Sequence, residues 1–211
     1  MDLPLPHRLV LLSLDPETGG RRSMVPTSYA IAALAVAELV LAGWLDVVND
    51  KVLVVNPEPT GQAVLDEAMA GVRNDVLRTP VARINRLRPV LEQATFTELV
   101  GAGLLVVSCA DGPVSRTVLR IAEPGPVRAL REKLRGGMAY DQQDLALAMA
   151  LRIAKLEHPV LGDGYRVLRG HAEELVEMGE LPRTVVQVLR AGHGARAAME
   201  AGLADRTAPV G

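Results

Sequence analysis

Apolar residues follow one another almost without interruption over residues 29–45. Glu38 and Gly43 interrupt the run, which falls short of the roughly 20 apolar residues of a membrane-spanning helix, so we expect a core helix. The Pro-Thr-Ser sequence at 26–28 is typical of a helix start that hydroxyls cap. Gly43 should end the helix just after Ala42.

Short apolar stretches on either side of polar turns predict two β-hairpins. The first hairpin joins residues 44–48 to residues 52–55. The second joins residues 104–109 to residues 115–121.

Helical periodicity predominates elsewhere in the chain. One helix follows Thr60, and another begins after Pro80 and should be kinked or divided at Pro89. Further helices follow from Pro126 onward, and the Gly-His-Gly sequence at 192–194 should break the last of them.

These elements predict a mainly α fold, a compact helical domain with short β-hairpins. The domain should span residues 1–203 and leave a frayed tail at 204–211. The alternative is two winged-helix domains, which would need a linker near residue 80, where the pattern is helical instead.

Two segments of the chain are similar to each other, AELVLAGWLDV (37–47) and TELVGAGLLVV (97–107). Each combines a helix end, a glycine and the first strand of a hairpin. The similarity predicts two related helix–hairpin units within one fold.

Composition narrows the class of protein. Apolar residues make up 49% of the 211 residues and aromatic residues only 2%, so Leu, Val, Ala and Ile must build the core. The single cysteine suits a reducing compartment. Asp2 and two early prolines do not fit a signal peptide, so we expect a cytoplasmic protein.

Charge is distributed unevenly. Residues 1–72 hold four basic and nine acidic groups, whereas residues 83–135 hold nine basic and five acidic groups. The formal net charge of −2 argues against nucleic-acid binding by the chain as a whole, but the middle segment should attract anions. The candidate ligands of an anionic headgroup are Arg83, Arg86, Arg116, Arg120, Arg128 and Arg131.

No catalytic constellation is evident in the sequence. The four histidines have no metal-ligand spacing, and no phosphate-binding glycine loop or nucleophile elbow is present. Asp66 and Glu67 are neighbours on a helix, so their side chains point apart, and they should be a solvated pair or a first-turn charge, not an acid–base couple. We therefore expect a binding protein without cofactor or metal, not an enzyme.

A DNA-binding regulator with winged-helix-like hairpins is the alternative function. Arg116 and Arg120 would then contact DNA phosphates. The helix before that hairpin carries Glu92, Glu98 and a mostly apolar face, which does not suit a recognition helix.

The segment PTGQAVLDEAM (59–69) resembles a signature of the Golgi phosphoprotein 3 family. Other segments resemble that family in the same order: LVLLSLDPETG its opening strand and acidic turn, AELVLAGWLDV and TELVGAGLL its helix ends, and DLALAMALRIAKL its apolar helix. The resemblance covers about residues 8–190.

This resemblance implies an all-helical fold with hairpins and a peripheral membrane protein, here on the inner face of a bacterial cell membrane, that binds phosphatidylinositol 4-phosphate. The family's headgroup ligands are a Trp, an Arg and an Arg-x-x-Arg pair. Ser23 stands at the Trp position, Ala32 at the Arg position, and Pro89 and Glu92 at the pair. Arg83-Ile84-Asn85-Arg86 has the spacing of the pair, six residues earlier.

The hairpin at 104–121 is expected to serve self-association more than lipid insertion. Its first strand is apolar on both faces and needs a cover, whereas its second strand alternates Arg116 and Arg120 with a more apolar face. The tip, residues 110–114, has Val114 as its one large apolar residue.

Overall fold

The computed structural model describes residues 3–20, 22, 26–74, 79–110, 116–136 and 140–207, except for the side chains of 109, 110, 116–118 and 203–207. Helices predominate, and the strands form two antiparallel pairs, β1–β2 and β3–β4. The predicted mainly α fold with short hairpins is confirmed. The helices are α1 (Leu5–Ser13), α2 (Ser28–Leu41), α3 (Ala63–Arg73), α4 (Pro80–Gly101), α5 (Pro124–Gly136), α6 (Gln142–Ile153), α7 (Glu157–Leu161), α8 (Tyr165–Glu177) and α9 (Arg183–Thr207), and the strands are β1 (Leu45–Val48), β2 (Lys51–Val54), β3 (Leu105–Ala110) and β4 (Arg116–Ile121).

Helix α2 is the centre of the core. Every residue from Ser28 to Ala37 is buried, and α1, α3, α4, α6 and α9 pack around it. Within the described ranges, no helix is both long enough and apolar enough to cross a bilayer. The predicted core helix at 29–45 is confirmed.

The structure confirms the predicted signal at the end of α2 but not the one at its start. Gly43 follows the last turn with a φ of +75°, as predicted for a helix stop. The predicted hydroxyl cap is wrong, because Thr27 makes no side-chain capping hydrogen bond and is itself buried.

Helix α9 continues through residues 192–194, so the predicted break there is wrong. A Cβ atom on Gly192 would lie 2.7 Å from the Cβ of Ala33 in α2. This glycine therefore lets α9 and α2 approach each other closely. The helix also runs on to Thr207, past the expected start of fraying at Leu203.

Helix α4 continues through Pro89, so the predicted division there is wrong. Proline removes the hydrogen bond to the carbonyl of Asn85. Both residues are exposed, so water can solvate that carbonyl and the helix tolerates the loss.

The opening segment resembled a strand but forms helix α1. Almost all of its side chains are buried, and Pro6 occupies the first turn, where its missing N–H is not needed. A buried segment with no neighbouring strand to pair with can satisfy its own backbone groups only as a helix.

The two similar segments form the same structure. After each helix the residue beyond the glycine donates its N–H back into the last turn, Trp44 to the carbonyl of Leu39 (2.8 Å) and Leu104 to that of Leu99 (2.9 Å). The two glycines have φ angles of +75° and +69°. Both helices thus end in a Schellman motif that starts a hairpin, and the predicted pair of helix–hairpin units is confirmed.

We expect limited proteolysis to yield no two stable halves divided near residue 80. Helices α2 and α4 pack on each other, and α9 packs on both, so separation would expose the core. Mass spectrometry of the fragments after brief digestion checks this. Two protease-resistant halves would favour the two-domain alternative instead. The domain boundary at residue 203 stays a prediction.

Candidate functional site

Arg83 is a structural residue. Its side chain is fully buried, and its Nη1 donates to the carbonyl of Gly71 at 2.7 Å, joining α4 to α3. The sequence placed it among the headgroup ligands, but position along the chain does not reveal which face of α4 turns inward. Arg83 therefore does not contribute to an exposed anion-binding surface.

Three of the candidate arginines are exposed, namely Arg86 on α4, Arg120 on β4 and Arg128 on α5. Arg120 stands opposite Val106 in the hairpin register. Neither Arg120 nor Arg128 forms an ion pair with any described residue. The backbone of Arg116 begins β4, whereas its side chain lies outside the described residues.

A tight loop over residues 15–20 packs against β4. The Asp15 carboxylate accepts hydrogen bonds from the N–H groups of Glu17 (3.0 Å) and Thr18 (2.9 Å). The bond from Thr18 is the main cause that lowers the pKa of Asp15. A Cβ atom on Gly19 would lie 2.1 Å from the carbonyl oxygen of Leu119, so only glycine permits this contact. The predicted turn is thus the element that borders Arg120.

Three arginines converge beyond this loop, where α5 meets α7. Arg22 donates from Nη1 to the carbonyl of Pro159 (2.9 Å), and Arg135 donates from Nε to the carbonyl of Leu161 (3.1 Å). Arg131, only 8% exposed, lies between α5 and this loop. Burial, and then the positive charges of Arg22 and Arg135, lower the pKa of Arg131.

Sequence reasoning selected Arg131 but missed its partners Arg22 and Arg135, and it also missed Arg88. The guanidinium of Arg88 stacks on the ring of Tyr29, 4.7 Å from its centroid. The four-residue spacing of Arg131 and Arg135 on one helix was the available signal for that pair. Nothing in the sequence indicates the approach of Arg22 or of Tyr29.

The two helix–hairpin units hold α1 with one glutamate each. Glu38 accepts from the N–H of Leu5 (2.8 Å), and Glu98 Oε2 lies 2.9 Å from His7 Nε2. Burial raises the pKa of Glu38 to about 7 and lowers the pKa of His7 to about 4. His7 is therefore neutral near pH 7 and donates its Nε2–H to Glu98, so the contact is a hydrogen bond and not a pair of full charges.

The signature segment 59–69 fixes the loop that enters α3. The N–H and the hydroxyl of Thr60 donate to Asp66 Oδ1 at 2.6 and 2.8 Å. Asp66 is the predicted first-turn charge of α3, half-buried and bonded to Thr60, whereas Glu67 is exposed. These residues have a structural role in the chain.

Helices α6, α8 and α9 enclose a cleft of about 510 Å³. Its lining includes apolar Leu168 and Leu189, and Glu173 accepts hydrogen bonds from Arg152 (2.8 Å) and Arg169 (3.2 Å). Those two bonds hold the pKa of Glu173 below its usual range. The cleft has the size of a small-molecule site, but Arg152 and Arg169 pair within it and none of the sequence candidates lies in it. Among the described residues, no cluster of His, Cys, Asp and Glu is arranged to hold a metal ion.

The Golgi phosphoprotein 3 (GPP34) family model matches residues 5–192, from α1 to the first part of α9. The chain belongs to the Golgi phosphoprotein 3 family. The resemblance seen in the sequence is thus confirmed. No curated protein gives a significant match.

This Golgi phosphoprotein 3 family member lacks basic residues at the positions that resemble the family's headgroup ligands. Ala32 is wholly buried in α2, and Pro89 and Glu92 carry no positive charge. Ser23 lies outside the described residues. The three described positions therefore offer no positive charge to an anionic ligand.

We expect the Glu38→Gln variant to gain stability relative to the unmodified protein as pH rises. The folded pKa of Glu38, about 7, lies above its ordinary value of 4.5, so its contribution is lost as pH rises through about 7. The variant should gain about 2 kcal/mol in unfolding free energy between about pH 5 and about pH 8. Chemical denaturation at the two pH values measures the difference. Glu67→Gln, at an exposed position of α3, should show none, and a flat difference for Glu38→Gln would contradict the assignment.

Proposed function

We propose that the protein binds the surface of anionic phospholipid membranes without catalysing a reaction. Family membership supports a role in lipid or adaptor binding, and the observation that carries the proposal is that Arg120 and Arg128 form no ion pair with any described residue. Other exposed arginines, such as Arg135, Arg152 and Arg169, form ion pairs with glutamates. Exposed cations without such partners are available to lipid phosphates.

The proposed surface consists of Arg120, Arg128 and Arg86, and Arg116 is included by its place in β4. The carbonyl of Leu119, the residue before Arg120 in β4, contacts Gly19 of the 15–20 loop. Arg128 lies one turn before Arg131 on α5. Since the ligand positions of the family are altered here, we expect little preference for phosphatidylinositol 4-phosphate over other acidic lipids. Binding should be electrostatic and reversible, and it should weaken as salt is added.

We expect the double variant Arg120→Gln/Arg128→Gln to bind phosphatidylserine vesicles more weakly than the unmodified protein. Each surface arginine contributes about 1 kcal/mol, so the loss should be roughly 30-fold at low salt. Vesicle sedimentation at low and high salt measures it.

The matched control for that experiment is Arg183→Gln/Arg190→Gln, two exposed arginines on α9. The start of α9 contacts the first hairpin, where Gln187 bonds Asp50, and neither arginine belongs to the proposed surface. No sedimentation of the unmodified protein with acidic vesicles at low salt would remove the proposal. A gel shift with random DNA, run in parallel, tests the winged-helix alternative.

We also propose that the second hairpin contacts a second copy of the chain. Leu105 and Ile121 are buried at its base, but Val106 and Val107 are each about half exposed, so the hairpin leaves the core after its first residue pair. Exposed β-branched residues on an edge hairpin favour association.

We expect the protein to be larger than a monomer at tens of micromolar, and Val106→Thr/Val107→Thr to shift it toward the monomer. Threonine retains the β-branched shape that suits a strand, so the hairpin itself should persist. Light scattering measures the mass. A monomeric unmodified protein at that concentration contradicts the proposal.

A further inference from the structure

The guanidinium of Arg131 is buried without hydrogen-bond partners on one edge. The residue is 8% exposed, and its Nε and Nη2 atoms are closed to solvent and donate no hydrogen bond to any described residue. Arginine stays protonated in proteins, and a buried charge without a partner is strongly unfavourable. Such a group in a native fold therefore indicates a ligand that completes it.

After burial, the positive charges of two further guanidinium groups, those of Arg22 and Arg135, are the next causes that lower the pKa of Arg131. Arg135 lies one turn further along α5, and Arg22 comes from the segment after the 15–20 loop. Both are anchored to carbonyls of α7, so neither can turn away from Arg131 without breaking a bond. Asp15 and Glu132 offset part of the charge, but Asp15 is bonded to Arg22 (2.8 Å) and Glu132 to Arg135 (2.9 Å). Three positive charges against two negative ones favour an anion.

We propose that Arg131, Arg22 and Arg135 form a binding site for the phosphate group of a phosphomonoester. The Nε and Nη2 edge of arginine is a fork that matches two phosphate oxygens. A monoester presents three terminal oxygens to three guanidinium groups, whereas a phosphodiester presents two. If the phosphate belongs to a lipid headgroup, this proposal rests on the proposed membrane function. If the phosphate belongs to a soluble molecule, the proposal is independent of that function.

The phosphate reaches this edge past Arg135. The Arg135 side chain is 39% exposed and its partner Glu132 is 66% exposed, so the ion pair that covers the site lies at the surface. Surface ion pairs contribute little to stability and open readily. The ion pair between Arg135 and Glu132 can therefore break when the phosphate binds, while α5 stays in place.

The test uses inorganic phosphate and the melting temperature of the full-length protein, with chloride at equal ionic strength as reference. At phosphate concentrations about 100 times the dissociation constant, the melting temperature should rise by roughly 5–10 °C. Arg131→Met should lose this rise, yet melt no lower than the unmodified protein in chloride, because it removes an unpaired buried charge. Arg183→Met, at an exposed position of α9 outside the proposed membrane surface, should keep the full rise.

If Arg131→Met does not fold, Arg131→Lys replaces it, since lysine keeps the charge but lacks the two-atom fork. Line broadening of the phosphate ³¹P resonance by the unmodified protein gives a second readout. The proposal is overturned if phosphate does not raise the melting temperature beyond the chloride reference, or if the rise persists in the variant at position 131.

Vesicles distinguish the two sources of the phosphate. If the ligand is a lipid headgroup, Arg131→Met should weaken sedimentation with phosphatidic acid, a monoester, and leave sedimentation with phosphatidylserine at matched charge unchanged. If it is soluble, the variant should lose the phosphate effect and sediment normally with both. If the membrane proposal alone is wrong, the unmodified protein does not sediment with vesicles, but phosphate still raises its melting temperature.

Discussion

The burial of α2 is the constraint on which the rest of the structure depends. A helix whose residues face the core on all sides can exist in water only if other elements cover its whole circumference. The chain has few aromatic side chains to fill space, and α2 is rich in alanine, so the surrounding helices must come close. The contact of Gly192 with Ala33 is the tightest consequence of this arrangement. Small residues such as these allow the close approach of the helices, while Tyr29, Ile31 and Leu34 of α2 fill the remaining space.

Most of the fold could be predicted because its elements carry local signals. The core helix, both hairpins and the repeated helix ends follow from apolar runs, glycines and turns within a few residues of each other. The wrong predictions share one cause, because tertiary contacts and not local sequence determined the structure at those positions. Pro89 is tolerated because its face is exposed, Gly192 serves packing, and α1 is helical because nothing pairs with it as a strand.

The candidate site was predicted less well than the fold. The charge excess in the middle of the chain selected arginines on α4, β4 and α5, but it could not separate outward-facing arginines from inward-facing ones. Arg83 and Arg131 are both buried, yet Arg83 donates to the Gly71 carbonyl while Arg131 faces two like charges. That difference depends on Arg22 and on α7, which are far from α5 in the sequence. The residues next to Arg83 and Arg131 in the sequence do not reveal this difference.

The attachment of α1 has a consequence for the order in which the chain folds. Leu5 is held by Glu38 at the end of one helix–hairpin unit, and His7 by Glu98 at the end of the other. Those two acceptors are sixty positions apart, and they lie side by side only after α2 and α4 have packed together. Contacts of such long sequence separation form late, since closing the loop between them must come first. Although α1 precedes both units in the chain, we expect it to dock only after they have joined, and until then its apolar side chains have no complete surface to pack on.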